Sequence, residues 1–106
     1  MAWTYLFAAG LLEIFWAYQM KRSEGFTLLA PTVLTLIGMI ASFGLLSVSM
    51  KTLPLGTAYT IWTGIGAVGA FAIGIAALGE AVTPMRLLAG ALIVSGIVLM
   101  KLSSPH

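Results

Sequence analysis

Residues 57–78 read TAYTIWTGIGAVGAFAIGIAAL and carry no charged side chain. A helix rising ~1.5 Å per residue needs about 20 apolar residues to cross a hydrocarbon core ~30 Å thick, and this run is long enough. It is expected to span a membrane. Upstream, Lys51-Thr52-Leu53-Pro54-Leu55-Gly56 is a turn-prone break, preceded by a second apolar run over about 28–50. Pro31 falls in the first turn of that run, where a missing N–H does no harm. Earlier still, Lys21-Arg22-Ser23-Glu24-Gly25 closes a first run, about 2–20, whose one charged side chain is Glu13. No basic segment precedes this run and a carboxylate interrupts it, so it is expected to be retained and not cleaved as a signal peptide. Downstream, Gly79-Glu80-Ala81-Val82-Thr83-Pro84 makes a loop with Thr83 as N-cap and Pro84 as first helical residue. A fourth run covers about 85–101, with Arg86 and Lys101 at its ends to reach toward headgroups. The expected fold class is an all-α membrane protein, one domain over 1–106 with four transmembrane helices.

Composition agrees. With 60% hydrophobic and 8% charged residues in 106, the chain has too little polar surface to coat a soluble globule. The net charge of +2 comes from five scattered basic residues, which make no phosphate-tracking stripe, so nucleic acid is not an expected partner. There is no Cys, and the single histidine, His106, is at the C-terminus. Disulfides, thiolate nucleophiles and zinc sites are thereby excluded, and neither a cofactor nor an enzyme activity is expected.

Four spans put both termini on one side of the membrane. Lys51 and Lys101 then oppose Lys21, Arg22 and Arg86, which is almost no bias for the positive-inside rule to act on. The same chain can insert both ways up. Two copies in opposite orientation would form the inverted repeat that larger transporters encode within one chain.

Glu13 is the outstanding residue. It lies roughly halfway across the core, where an unpaired charge costs several kcal/mol, so it must face protein or water. At about 100° per residue, Leu6, Ala9, Gly10, Ala17 and Met20 share its face, with Trp16 at the edge. On the second helix Thr35, Gly38, Ser42 and Ser49 form one stripe, with Ser42 at mid-depth. On the third, Tyr59, Trp62, Thr63 and Gly66 line up similarly. One carboxylate, two indoles, a phenol and a hydroxyl can thus converge. Loss of water disfavours the Glu13 anion, while hydrogen bonds from Trp16, Ser42 or Tyr59 would favour it. A carboxylate so balanced holds either a proton or a cation, which is the competition an exchanger needs. The plainer alternatives are a structural hydrogen bond between helices or an ion pair with Lys21. Tyr59 and Trp62 also fit a plain interfacial aromatic belt.

Gly64-Ile65-Gly66-Ala67-Val68-Gly69 matches the dinucleotide fingerprint letter for letter, but no strand precedes it and the span is uncharged. These glycines are expected to allow close helix contact or a bend in the third helix. Ala89 and Gly96, one heptad apart on the fourth helix, suit a close helix–helix seam between protomers. Glu24 and Glu80 read as solvated loop charges.

The motif Gly10-Leu11-Leu12-Glu13-Ile14-Phe15-Trp16-Ala17 resembles the first helix of the small multidrug resistance family of bacterial transporters, in its guanidinium exporter subtype. The segments Lys21-Arg22-Ser23-Glu24-Gly25-Phe26-Thr27, Lys51-Thr52-Leu53-Pro54-Leu55-Gly56-Thr57-Ala58-Tyr59 and Ile61-Trp62-Thr63-Gly64-Ile65-Gly66 extend the likeness over essentially the whole chain. Thr60 stands where the family pattern has Ala, and Ala89 replaces the first Gly of its dimer-seam heptad. The resemblance implies a bacterial inner-membrane antiparallel homodimer of dual topology. In it, Glu13 of both subunits would bind substrate or protons, supported by Gly10, Trp16, Ser42, Tyr59, Trp62 and Thr63. The expected activity is proton-coupled export of guanidinium and small substituted guanidinyl cations. The rivals are a proton-coupled exporter of quaternary ammonium or lipophilic cations, and a non-transporting membrane assembly protein. A planar, all-donor cation suits a carboxylate with an aromatic wall, which is the residue set at hand.

Overall fold

A computed structural model of the chain describes residues 2–103; His106 lies outside them. They form four helices: α1 (Ala2–Arg22), α2 (Leu29–Ser49), α3 (Leu55–Leu78) and α4 (Pro84–Ser103). In hydrocarbon a backbone must satisfy its own hydrogen bonds, and these apolar stretches do so as helices. α2, α3 and α4 are each long and apolar enough to cross a membrane. α1 is as long as α2 but carries Glu13 and ends on Lys21 and Arg22. It runs past Met20 with both cations in its last turn, at the favourable negative end of the helix dipole.

The helix ends have definite chemistry. After α1, the fully buried Ser23 organises the turn. Its hydroxyl donates to the Met20 carbonyl (2.6 Å) and accepts from the Phe26 amide (3.1 Å). Glu24, Gly25 and Phe26 then take φ of 50°, 73° and 68°, reversing the chain through successive left-handed residues. That conformation is natural for Gly25 and uncommon for a bulky Phe26. α3 ends at Gly79 (φ 69°), a left-handed glycine, with the Glu80 amide donating to the Gly74 carbonyl at 2.9 Å. α4 begins at Pro84, and the Thr83 hydroxyl caps it by accepting from the Arg86 amide at 3.1 Å.

α1 is the centre of the packing, lying against α2 along most of its length and against α3 on another face, while α2 and α3 scarcely meet. Small residues set these distances. A Cβ on Gly38 of α2 would fall 2.9 Å from Trp16 Cβ, and one on Gly10 of α1 would meet the Ile65 side chain at 2.7 Å. Without a hydrophobic drive between helices in lipid, such close backbone approach is what holds them. The polar stripe of α2 faces inward, with Thr35, Gly38, Ser42 and Ser49 all buried. The core adds Leu6, Ala9, Leu46, Leu53, Ala58, Ile61 and Trp62. α4 has no buried residue and packs mainly against α3, with Lys101 near its end lying over Trp3 of α1. The whole measures 42 × 34 × 16 Å, so along its short axis it is less than two helices thick.

Candidate functional site

Glu13 sits midway along α1 with its side chain directed at α3, where the carboxylate lies against Gly66. There is no room for a methyl group between them. Its Oε1 is buried and has no hydrogen-bond partner among the described residues, and the same is true of the Trp16 indole nitrogen. Neither plainer alternative for Glu13 is realised. No interhelical hydrogen bond reaches Oε1, and the ion pair found among the described residues is Arg86–Glu80 at 3.6 Å, exposed at the far loop.

Ser42 is fully buried, and its hydrogen bonds are already committed. The hydroxyl donates to the Ala9 carbonyl at 2.7 Å and accepts from Trp62 Nε1 at 3.0 Å, tying α1, α2 and α3 together one turn from Glu13. The sequence pointed to Ser42 as a donor to the carboxylate; in this conformation its single proton is on a backbone oxygen instead. The Ala9 carbonyl, inside α1, has a second lone pair to spare and takes the hydroxyl's proton.

The aromatic residues form a continuous chain. Trp16 meets Phe43 edge-on (centroids 6.2 Å), Phe43 meets Trp62 (5.7 Å), and Trp62 meets Tyr59 edge-on (5.6 Å). Phe43 is the residue that sequence reasoning missed. It follows Ser42 directly, but neighbours in sequence point about 100° apart on a helix, so that adjacency gave no signal.

The remaining candidates separate. Trp62 and Gly66 are buried, whereas Tyr59 and Thr63 are exposed and line a groove of about 400 Å³ between α3 and α4, together with Gly64 and Ile93. Gly10 packs on Ile65 of α3. α3 is one continuous helix, and the three glycines of its 64–69 stretch each receive a neighbour: Gly66 takes Glu13, Gly69 takes Ile14 of α1, and Gly64 takes Ile97 of α4. Ala89 and Gly96 lie exposed on α4, and a Cβ at Gly96 would meet nothing within 4 Å.

A buried acid without a partner and a row of aromatic faces together suit a small cation that donates hydrogen bonds. Residues 1–94, which include the first three helices and about half of the fourth, match the family described as Small Multidrug Resistance protein.

The chain belongs to the Small Multidrug Resistance family.

It is 54% identical over 104 residues to a protein of Citrobacter freundii named "Guanidinium exporter", an alignment covering 98% of this chain and 99% of the relative. Proteins of the same name from Salmonella typhi and Escherichia coli (strain K12) are each 55% identical over 104 residues, with the same coverage. This small multidrug resistance protein is therefore a multi-pass protein of the bacterial inner membrane.

Proposed function

We propose that the protein exports guanidinium-type cations in exchange for protons, as an antiparallel homodimer in which the two Glu13 carboxylates alternately hold protons or substrate. The observation that carries this reading is the unpartnered, buried Glu13 Oε1. An anion at mid-membrane without a counter-ion is expensive, so the group demands either a proton or a cation. Competition between the two is the coupling. The name of the relatives supports guanidinium as the cation.

The residues divide the work. Glu13 accepts the in-plane N–H groups, and the Trp16, Phe43 and Trp62 rings supply faces for the cation. Ser42 and Trp62 hold α1 and α3 at a fixed spacing beside the acid. Tyr59 and Thr63, open on the α3–α4 side, act at the mouth of the path and not at its centre.

A wall 16 Å thick does not enclose a path with two gates, which supports a second copy. The bare face of α4 with Ala89 and Gly96 is the proposed seam, since small residues let helices approach closely. In an antiparallel pair the two openings are equivalent by symmetry, and transport requires the protomers to exchange conformations. Gly64, Gly66 and Gly69 are the positions at which α3 slides or bends against α1 and α4.

A direct test is binding to the detergent-solubilised protein in weakly buffered solution. Guanidinium should release protons on binding, compete with a bulky tetraalkylammonium ion, and do neither in Glu13→Gln. Tetraalkylammonium binding that guanidinium cannot displace would replace this reading with the quaternary ammonium one.

A further inference from the structure

At the end of the molecule where α1 begins and α2 finishes, a groove of about 510 Å³ is lined by Trp3, Tyr5, Val48, Lys51, Thr52 and Leu53. Its floor is apolar, with Leu53 buried at its base. The Lys51 ammonium and the hydroxyls of Tyr5 and Thr52 make no ion pair or hydrogen bond among the described residues. The turn backbone is occupied: the Met50 amide donates to Leu46 (3.1 Å) and the Thr52 and Leu53 amides to Ser49 (3.3 and 3.1 Å). Side chains, then, are what this groove offers a ligand.

The charge around it is one-sided. The chain has three acidic residues; Glu13 is at mid-membrane, while Glu24 and Glu80 lie in the loops at the opposite end. At this end Lys51 and Lys101 have no acidic side chain to pair with. Lys101 rests over the Trp3 ring, 4.4 Å from its centroid, which brings a second ammonium within a ring's width of the groove.

At this depth the surroundings are lipid headgroups. A phosphodiester matches the ammonium and the two hydroxyls, and the first acyl carbons match the apolar floor. A zwitterionic headgroup would bring its own cation next to Lys51, with no acidic side chain at this end among the described residues to receive it. We infer that this groove is a binding site for the phosphodiester headgroup of an anionic phospholipid, with Lys51 on the phosphate. Basic groups at the interface draw anionic lipid in this way.

The test uses the purified full-length protein in detergent, titrated with phosphatidylglycerol or with phosphatidylcholine of the same acyl chains. Bound lipid is counted by native mass spectrometry, and thermal unfolding is followed alongside. Phosphatidylglycerol should bind saturably, at least about fivefold tighter than phosphatidylcholine, and raise the unfolding midpoint. Lys51→Gln should abolish that preference, Lys51→Arg should keep it, and Val48→Trp, which fills the floor but spares the ammonium, should weaken it. Equal binding of the two lipids, or a preference that survives Lys51→Gln, would overturn the assignment. A saturable shift with inorganic phosphate alone, lost in Lys51→Gln, would also overturn it in favour of a free-anion site.

Discussion

The carboxylate of Glu13 on α1 rests directly on the bare backbone of Gly66 on α3, in the space that any larger residue at 66 would occupy. The room beside the acid is therefore set by the distance between these two helices. Whatever moves α3 relative to α1 changes access to the acid.

Gly66→Ala places a methyl group where the Glu13 side chain now lies. Overpacking of this kind costs about 1–3 kcal/mol, and here the cheapest relief is rotation of Glu13 away from α3. Guanidinium affinity should fall about tenfold or more, measured by calorimetry. Gly56→Ala, where a Cβ meets nothing within 4 Å, is the matched control and should bind as the parent does. Unchanged affinity in Gly66→Ala would mean that the acid works in a position far from α3.

Ser42 and Trp62 form one unit, because the Ser42 hydroxyl is both acceptor for the indole and donor to Ala9. Ser42→Ala strands the indole N–H, since the Ala9 carbonyl keeps its helical bond, and Trp62→Phe removes that donor. A double-mutant cycle on thermal stability should give a coupling energy on the order of 1 kcal/mol. Strict additivity would show that the bond holds nothing together.

The chain's basic residues divide two against three across the membrane, so orientation should be balanced. A single Cys introduced by Ser103→Cys in this Cys-free chain should be labelled about half from each side of the membrane. Adding two lysines at the C-terminus should force one orientation and remove transport, and co-expression of an oppositely biased copy should restore it. Complete one-sided labelling with transport intact would make the protomers parallel.

Much of this was legible in the sequence, for a physical reason. A carboxylate in an apolar run is conspicuous because hydrocarbon tolerates it only with a purpose, and the α2 stripe of Thr35, Gly38, Ser42 and Ser49 stood out because polar residues in lipid must turn inward. Phe43 did not stand out. An aromatic side chain on a membrane helix is equally at home facing lipid or protein, so periodicity carries no information about it. The commitment of Ser42 to the Ala9 carbonyl was also hidden, because a backbone oxygen has no signature in the sequence. The exposure of Tyr59 and Thr63, beside the buried Trp62 on the same stripe, depends on how α4 lies against α3. Helix spacing of that kind is set by which glycines meet which side chains. The run from Gly64 to Gly69 announced close contacts without saying that α1 takes two of its glycines and α4 the third.

The central claim is that one buried acid is shared between protons and cation. It is tested most directly in proteoliposomes with an imposed pH gradient, following labelled guanidinium. An interior made acidic relative to the bath should drive guanidinium uptake against its own gradient, and the uptake should collapse when the pH difference is dissipated. Glu13→Gln, which keeps the shape but holds neither proton nor charge, should abolish uptake. Guanidinium movement that ignores the pH gradient, or that continues in Glu13→Gln, would contradict the account.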